Sequence, residues 1–156
     1  MFGSPPNDET HEKIVLKVYN LQTQSLSVVP GSEGLRVPVW SPDGRYISAV
    51  SANDPYRLVL FDFKTQKWTE QARLDAGFQS WSRDSRYIYF LSGEASYEGV
   101  FRVSVSNNKV EKVLSLKDFR LAGTWGASLS LTPEDEPLLL RDVSPPEIYA
   151  LAWDAP

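Results

Sequence analysis

Val39-Trp40-Ser41-Pro42-Asp43-Gly44-Arg45-Tyr46-Ile47-Ser48-Ala49-Val50 decides the fold of this chain, because the pattern comes back. Two strand-forming runs flank Pro42-Asp43-Gly44, and each turn residue has its own task. Proline presets φ, aspartate hydrogen-bonds the local backbone, and glycine takes the positive φ that closes the turn. A second copy runs Gln79-Ser80-Trp81-Ser82-Arg83-Asp84-Ser85-Arg86-Tyr87-Ile88-Tyr89-Phe90, and a worn third occupies residues 124–140. Trp40, Trp81 and Trp125 stand at spacings of 41 and 44 residues.

A second pattern keeps the same beat. Ile14-Val15-Leu16-Lys17-Val18-Tyr19-Asn20-Leu21, the turn Gln22-Thr23-Gln24 and Ser25-Leu26-Ser27-Val28-Val29 read as a strand pair. That pair recurs 42 residues later over 57–70 and another 42 later over 100–114. A period of about 40–45 residues with four short strands per unit is the signature of propeller blades. With strands lettered a to d from the axis outward, the tryptophan runs are a, the runs after the turns are b, and the recurring pairs are c and d. Strands b and c are apolar on both faces, as sheets stacked face to face require. The d runs are more polar, as outer edges should be.

The fold expected is therefore all-β: a partial β-propeller of three to four four-stranded blades. Residues 1–12 read as a disordered lead and 13–156 as the propeller unit. Within it, 13–34 supply strands c and d, 35–76 and 77–117 are whole blades, and 118–156 supply a, b and c. Two arrangements stay open. A homodimer closing to six blades would let the tail of each copy complete its blade with the head strands of the other, leaving one c strand in surplus. The chain could equally be a fragment of a longer propeller.

Composition narrows the function classes. The 156 residues are 42% hydrophobic and 23% charged, and 19 of them are Trp, Tyr or Phe. A net charge of −4 argues against a nucleic-acid partner. Without cysteine there is neither a disulfide framework nor a thiolate site. No apolar run approaches the roughly 18 residues of a membrane span, and the opening residues lack the basic start and apolar core of a signal peptide. The compartment stays open, with the cytoplasm ahead of the others.

The string from Trp40 to Ile47 resembles the WD40-like propeller repeat typified by TolB, and the resemblance covers about residues 14–153. It implies the fold firmly and the function poorly. Such propellers occur in periplasmic Tol components, as gates of prolyl-oligopeptidase-like peptidases, and behind the DNA-binding part of bacterial winged-helix regulators. The tail, 137–156, is similar to the end of that last group, although Ala152 stands where the first full blade has Asp62. No winged helix precedes the propeller here, so DNA binding does not carry over.

Catalytic chemistry finds little support. His11 is the only histidine and lies in the lead, which leaves no base for a triad. Neither a Gly-x-Ser-x-Gly elbow nor a phosphate-cradling glycine loop occurs. Asp43 and Asp84 sit where turn geometry wants aspartate, and the tryptophans read as wedges between blades. The candidates that remain are the b–c loops, which share one face with the d–a loops carrying Glu33, Asp75 and Asp118. On that face Asn53, Tyr56, Tyr97 and Arg141 are the candidate ligand-binding residues, and Asp54, Glu94 and Asp142 the candidate metal ligands. Carboxylates converging from several blades are what calcium takes, and a bound ion could polarise an ester or lactone. The expected function is an interaction module for a protein, peptide or small molecule, with a calcium-dependent lactonase-type hydrolase as the alternative and the gate of a peptidase third.

Overall fold

The computed structural model covers residues 1–156, of which 2–3, 14–51, 56–73, 76–92, 98–121 and 128–144 are described. The described residues form thirteen strands and no helix. The chain opens with β1 (Phe2–Gly3), β2 (Leu16–Asn20) and β3 (Ser25–Val28), in one sheet of that order. Next come β4 (Leu35–Trp40), β5 (Tyr46–Ser51), β6 (Leu58–Asp62) and β7 (Lys67–Ala72), an antiparallel meander. A second meander follows in β8 (Gly77–Trp81), β9 (Tyr87–Ser92), β10 (Gly99–Ser104) and β11 (Val110–Ser115). The hairpin β12 (Leu129–Leu131) and β13 (Pro137–Leu139) ends the series.

Stacking of these sheets builds the core. Leu16, Val29, Leu35, Ile47, Ala49 and Phe61 fill the space between the first two sheets. Leu58, Leu60, Trp81, Ile88, Phe90 and Val103 fill the next, and Tyr89, Leu91, Val100, Leu116 and Leu129 the last. Such side chains contribute about 1.5–3 kcal/mol each when fully buried. The first strands of successive sheets, β4, β8 and β12, lie beside one another, so the sheets fan out from a common axis. This is a partial propeller, with the all-β architecture that the repeat implied.

The repeat is written in the backbone as well. Gln24, Gln66 and Asn108 end the three c–d turns at positive φ of 52°, 57° and 58°. Two side chains stitch each outer strand to the one before it: the Trp68 indole N–H donates to the Pro30 carbonyl at 2.7 Å, and Asn108 Nδ2 to the Glu70 carbonyl at 3.1 Å. The a–b turns form a ladder at one end of the fan. Ser41 Oγ donates to Asp43 Oδ1 at 2.6 Å, and Ser82 Oγ to Asp84 Oδ1 at 2.8 Å. Burial raises the Asp43 pKa, but hydrogen bonds from Ser41, the Arg45 N–H and Ser85 together hold it below the usual carboxylate range. Ser82 and the Arg86 N–H do the same for Asp84. Asp43 and Asp84 are turn residues, as the sequence implied.

Three features differ from the sequence reading. The third a–b turn closes with Thr132 N–H donating to Glu136 O, as Ser41 does to Tyr46 and Ser82 to Tyr87. Leu131, 50 residues after Trp81, therefore holds the tryptophan's place; Trp125 lies outside the described residues. Leu121 bridges Arg141 and Leu129 pairs with Leu139. Second, the two described tryptophans that open the repeated turns are unequal. Trp81 is 6% exposed and its indole N–H donates to the Val39 carbonyl at 3.2 Å, a true wedge. Trp40 is 39% exposed and stacks on Phe63 at 5.0 Å, because the first sheet presents no innermost strand among the described residues. Third, Phe2–Gly3, within the expected lead, pairs with Lys17 and Leu16 in the place of a b strand. An unpaired strand edge attracts whatever extended segment reaches it.

Candidate functional site

The end of the fan opposite the turn ladder carries the b–c and d–a loops. Four of the seven candidates, Asn53, Asp54, Glu94 and Tyr97, lie outside the described residues. Tyr56, Arg141 and Asp142 are described. Tyr56 is 49% exposed at the rim of the second sheet. Beside it, Arg57 and Arg73 share the Glu70 carboxylate at 4.0 and 2.6 Å. Exposed pairs of this kind contribute about 0–1 kcal/mol; they fix the rim rather than hold the fold.

Arg141 and Asp142 are brought together with two residues the sequence reading passed over, Phe119 and Arg120. The Arg141 guanidinium lies 5.7 Å from the Phe119 ring centre, a cation–π geometry. Asp142 N–H donates to the Arg120 carbonyl at 2.8 Å, and the Arg120 guanidinium sits 3.1 Å from the Asp142 carboxylate. Arg120 also donates to the Ser144 carbonyl, and Ser144 N–H returns a bond to Asp142 Oδ1 at 2.8 Å. Hydrogen bonds from Ser144, backbone first, with added attraction from Arg120, keep the Asp142 carboxyl below its ordinary pKa.

That network bears on calcium. A hard cation needs several carboxylate or carbonyl oxygens free to converge. Asp142 is already committed to a cation and a backbone N–H. No group of three potential metal ligands forms among the described residues. The other two candidate ligands, Asp54 and Glu94, lie outside the described residues.

The innermost strands hold a feature no sequence signal announced. Val37 on β4 and Phe78 on β8 both adopt φ of 51°, the left-handed region that is unusual for bulky residues and worst for β-branched ones. Each sits in a bulge. Arg36 faces Val50 and Val39 faces Ser48, so two residues oppose Ala49 alone; the ladder of β8 shifts likewise between Gly77 and Ser80. The side chains are 57% and 38% exposed. Gln79 Nε2 donates to the Val37 carbonyl at 3.4 Å, while its buried Oε1 has no hydrogen-bond partner. A buried acceptor left so costs about 1–3 kcal/mol. Strain and an unmet polar atom thus coincide on the wall nearest the axis.

No family model matches this chain, and no curated protein matches it. Solved structures do. The chain is similar to TolB from Acinetobacter baumannii, with 17% identity and a TM-score of 0.61 over 78% of this chain and 30% of that one. It is similar to an oligogalacturonate lyase in complex with manganese, at 17% identity and a TM-score of 0.66 over 90% of this chain and 40% of that one. The propeller domain of the Trilobed protease from Pyrococcus furiosus, described as having an open velcro topology, matches at 16% identity and a TM-score of 0.56, covering 68% and 36%. The chain spans only 30% to 40% of the length of these proteins. Likeness at this level of identity speaks for architecture: the fold is a TolB-like β-propeller.

Proposed function

We propose that this chain is a propeller interaction module that takes a partner protein, peptide or small molecule at the loop-bearing end of its inner strands. One observation carries the reading: the repeated exposure of Val37 and Phe78 at positive φ on β4 and β8. Backbone strain persists where the surroundings over-determine it, and such outliers cluster at ligand clamps. The opposite end gives a partner less, because its turns spend their polar groups on one another. Asp43 N–H donates to Ser85 Oγ at 3.1 Å, and Arg83 N–H to Asp135 Oδ1 at 2.8 Å. Tyr56 and Val143, 49% and 82% exposed, extend the apolar surface at the loop end.

The same reading includes a second copy of the chain that completes the fan, as blade complementation would have it. The likeness of the tail to winged-helix regulators stays an expectation, since residues 145–156 lie outside the described set.

The test is a displayed library of random peptides panned on the wild-type chain. Enriched peptides are expected to lose about tenfold in affinity, about 1.4 kcal/mol, when Phe78→Gly and Val37→Gly are combined. Glycine relieves the left-handed backbone, so the double variant should melt no lower than wild type by more than about 1 kcal/mol. No enrichment, or equal affinity for both proteins, would sink the proposal.

A further inference from the structure

We propose that β1 is a placeholder strand, and that β13 of a second copy of this chain takes its seat beside β2. The proposal rests on the ring-completing second copy proposed above and names the strand exchange that permits it. Register carries the argument. β2 is equivalent to β6 and β10 by the 42-residue repeat. β13 is equivalent to β5 and β9, because Leu131 faces Pro137 as Trp40 faces Ile47 and Trp81 faces Ile88.

In the two complete sheets Ala49 faces Val59 and Val50 faces Leu58, while Phe90 faces Phe101 and Leu91 faces Val100. Carried onto the partial sheets, Leu138, Leu139 and Leu140 would face Val18, Lys17 and Leu16. Two of those places are now held by β1: Phe2 faces Lys17 and Gly3 faces Leu16, running antiparallel as a b strand must. A two-residue ladder is a weak occupant, since isolated short pairings are marginal in water.

Surface chemistry points to the same occupant. The described outer pair β2–β3 and inner pair β12–β13 together have the four strands of one sheet. Among the described residues, eight of the fourteen exposed large apolar side chains lie on or beside the faces that such a sheet would cover: Tyr19, Leu26, Val28, Trp40, Val113, Leu114, Leu138 and Leu140. By the alternation of the strands, Tyr19, Leu26 and Val28 of one copy would meet Leu114 of the other, with Val113 in the bulge beside it. Leu138 and Leu140 would cover the sheet bearing Trp40. Each exposed set has a matching set on the same chain, which is what a two-fold arrangement uses.

The experiment is light scattering on a sizing column across a concentration series. It compares the full chain, the chain without residues 1–13, the full chain with Gly3→Pro, which removes an N–H from the β1 ladder, and each shortened or substituted form with Leu138→Arg plus Leu140→Arg. The proposal expects association toward twice 17.6 kDa to tighten about tenfold when β1 is removed or broken, and to vanish with the leucine substitutions. Equal association with and without β1 would overturn the placeholder while leaving the second copy in place. Every form staying at its own monomer mass, 17.6 kDa for the full chain, would overturn the second copy itself. Association untouched by the leucine substitutions would overturn the register.

Discussion

Trp81→Ala is expected to destabilise the chain by about 3–5 kcal/mol, and Trp40→Ala by only about 1–2 kcal/mol. The two tryptophans occupy the same place in successive repeats, so sequence alone gives them equal weight. The structure does not. Trp81 is 6% exposed, packs among Leu58, Leu60, Ile88 and Phe90, and reaches across to the Val39 carbonyl of the preceding inner strand. Its removal opens a cavity between two sheets and leaves that carbonyl with the longer bond from Ser48 Oγ, at 3.4 Å. Trp40 is 39% exposed, and what it loses is chiefly the stack on Phe63. Thermal melts followed by circular dichroism compare the two; equal losses would mean that the sheets do not stack in the order described.

Gly99→Ala should cost about 1–3 kcal/mol by overpacking, because Gly99 is buried in a strand flanked on both sides. Gly99 pairs with Ser115 and Ser92 at the start of β10, beside the bulge between Val100 and Phe101. A Cβ there would come within 2.5 Å of the Leu114 carbonyl oxygen and 2.7 Å of Lys112 Cε. The lysine can swing away. The carbonyl belongs to the β11 backbone, so relief requires the outer strand to shift. An unchanged denaturation midpoint for Gly99→Ala would show that β11 does not approach β10 as described.

The fold was legible in the sequence because two signals of different chemistry kept one beat. Hydrophobic strand pairs recurred at 42 residues, and turn residues recurred with them. Gln24, Gln66 and Asn108 indeed share one left-handed turn position. Trp125 lies outside the described residues, and among the described ones the pairing of Leu131 with Pro137 is decided by the turn that follows. The site was less legible. Arg141 and Asp142 are placed by neighbours about twenty residues earlier, Phe119 and Arg120, across an insertion whose length no pattern predicts. Val37 and Phe78 carry no local signal at all: neither favours positive φ, and only the bulge imposed by the sheet puts them there. A tertiary override of this kind is where sequence reasoning stops.

The central claim is that consecutive repeats stand side by side as blades, turn against turn. The most direct test is amide hydrogen exchange at Asp43 in the wild type and in Ser85→Gly. Asp43 N–H donates to Ser85 Oγ, 42 residues away at 3.1 Å. Gly44, Ser85 and Asp135 share the same left-handed turn position, at φ of 74°, 60° and 64°, so glycine at 85 keeps the backbone and removes the hydroxyl that accepts from the Asp43 N–H and hydrogen-bonds its carboxylate. The account predicts faster exchange at Asp43 with the protection of Ile88 and Phe90 unchanged. Unaltered exchange at Asp43 would contradict it.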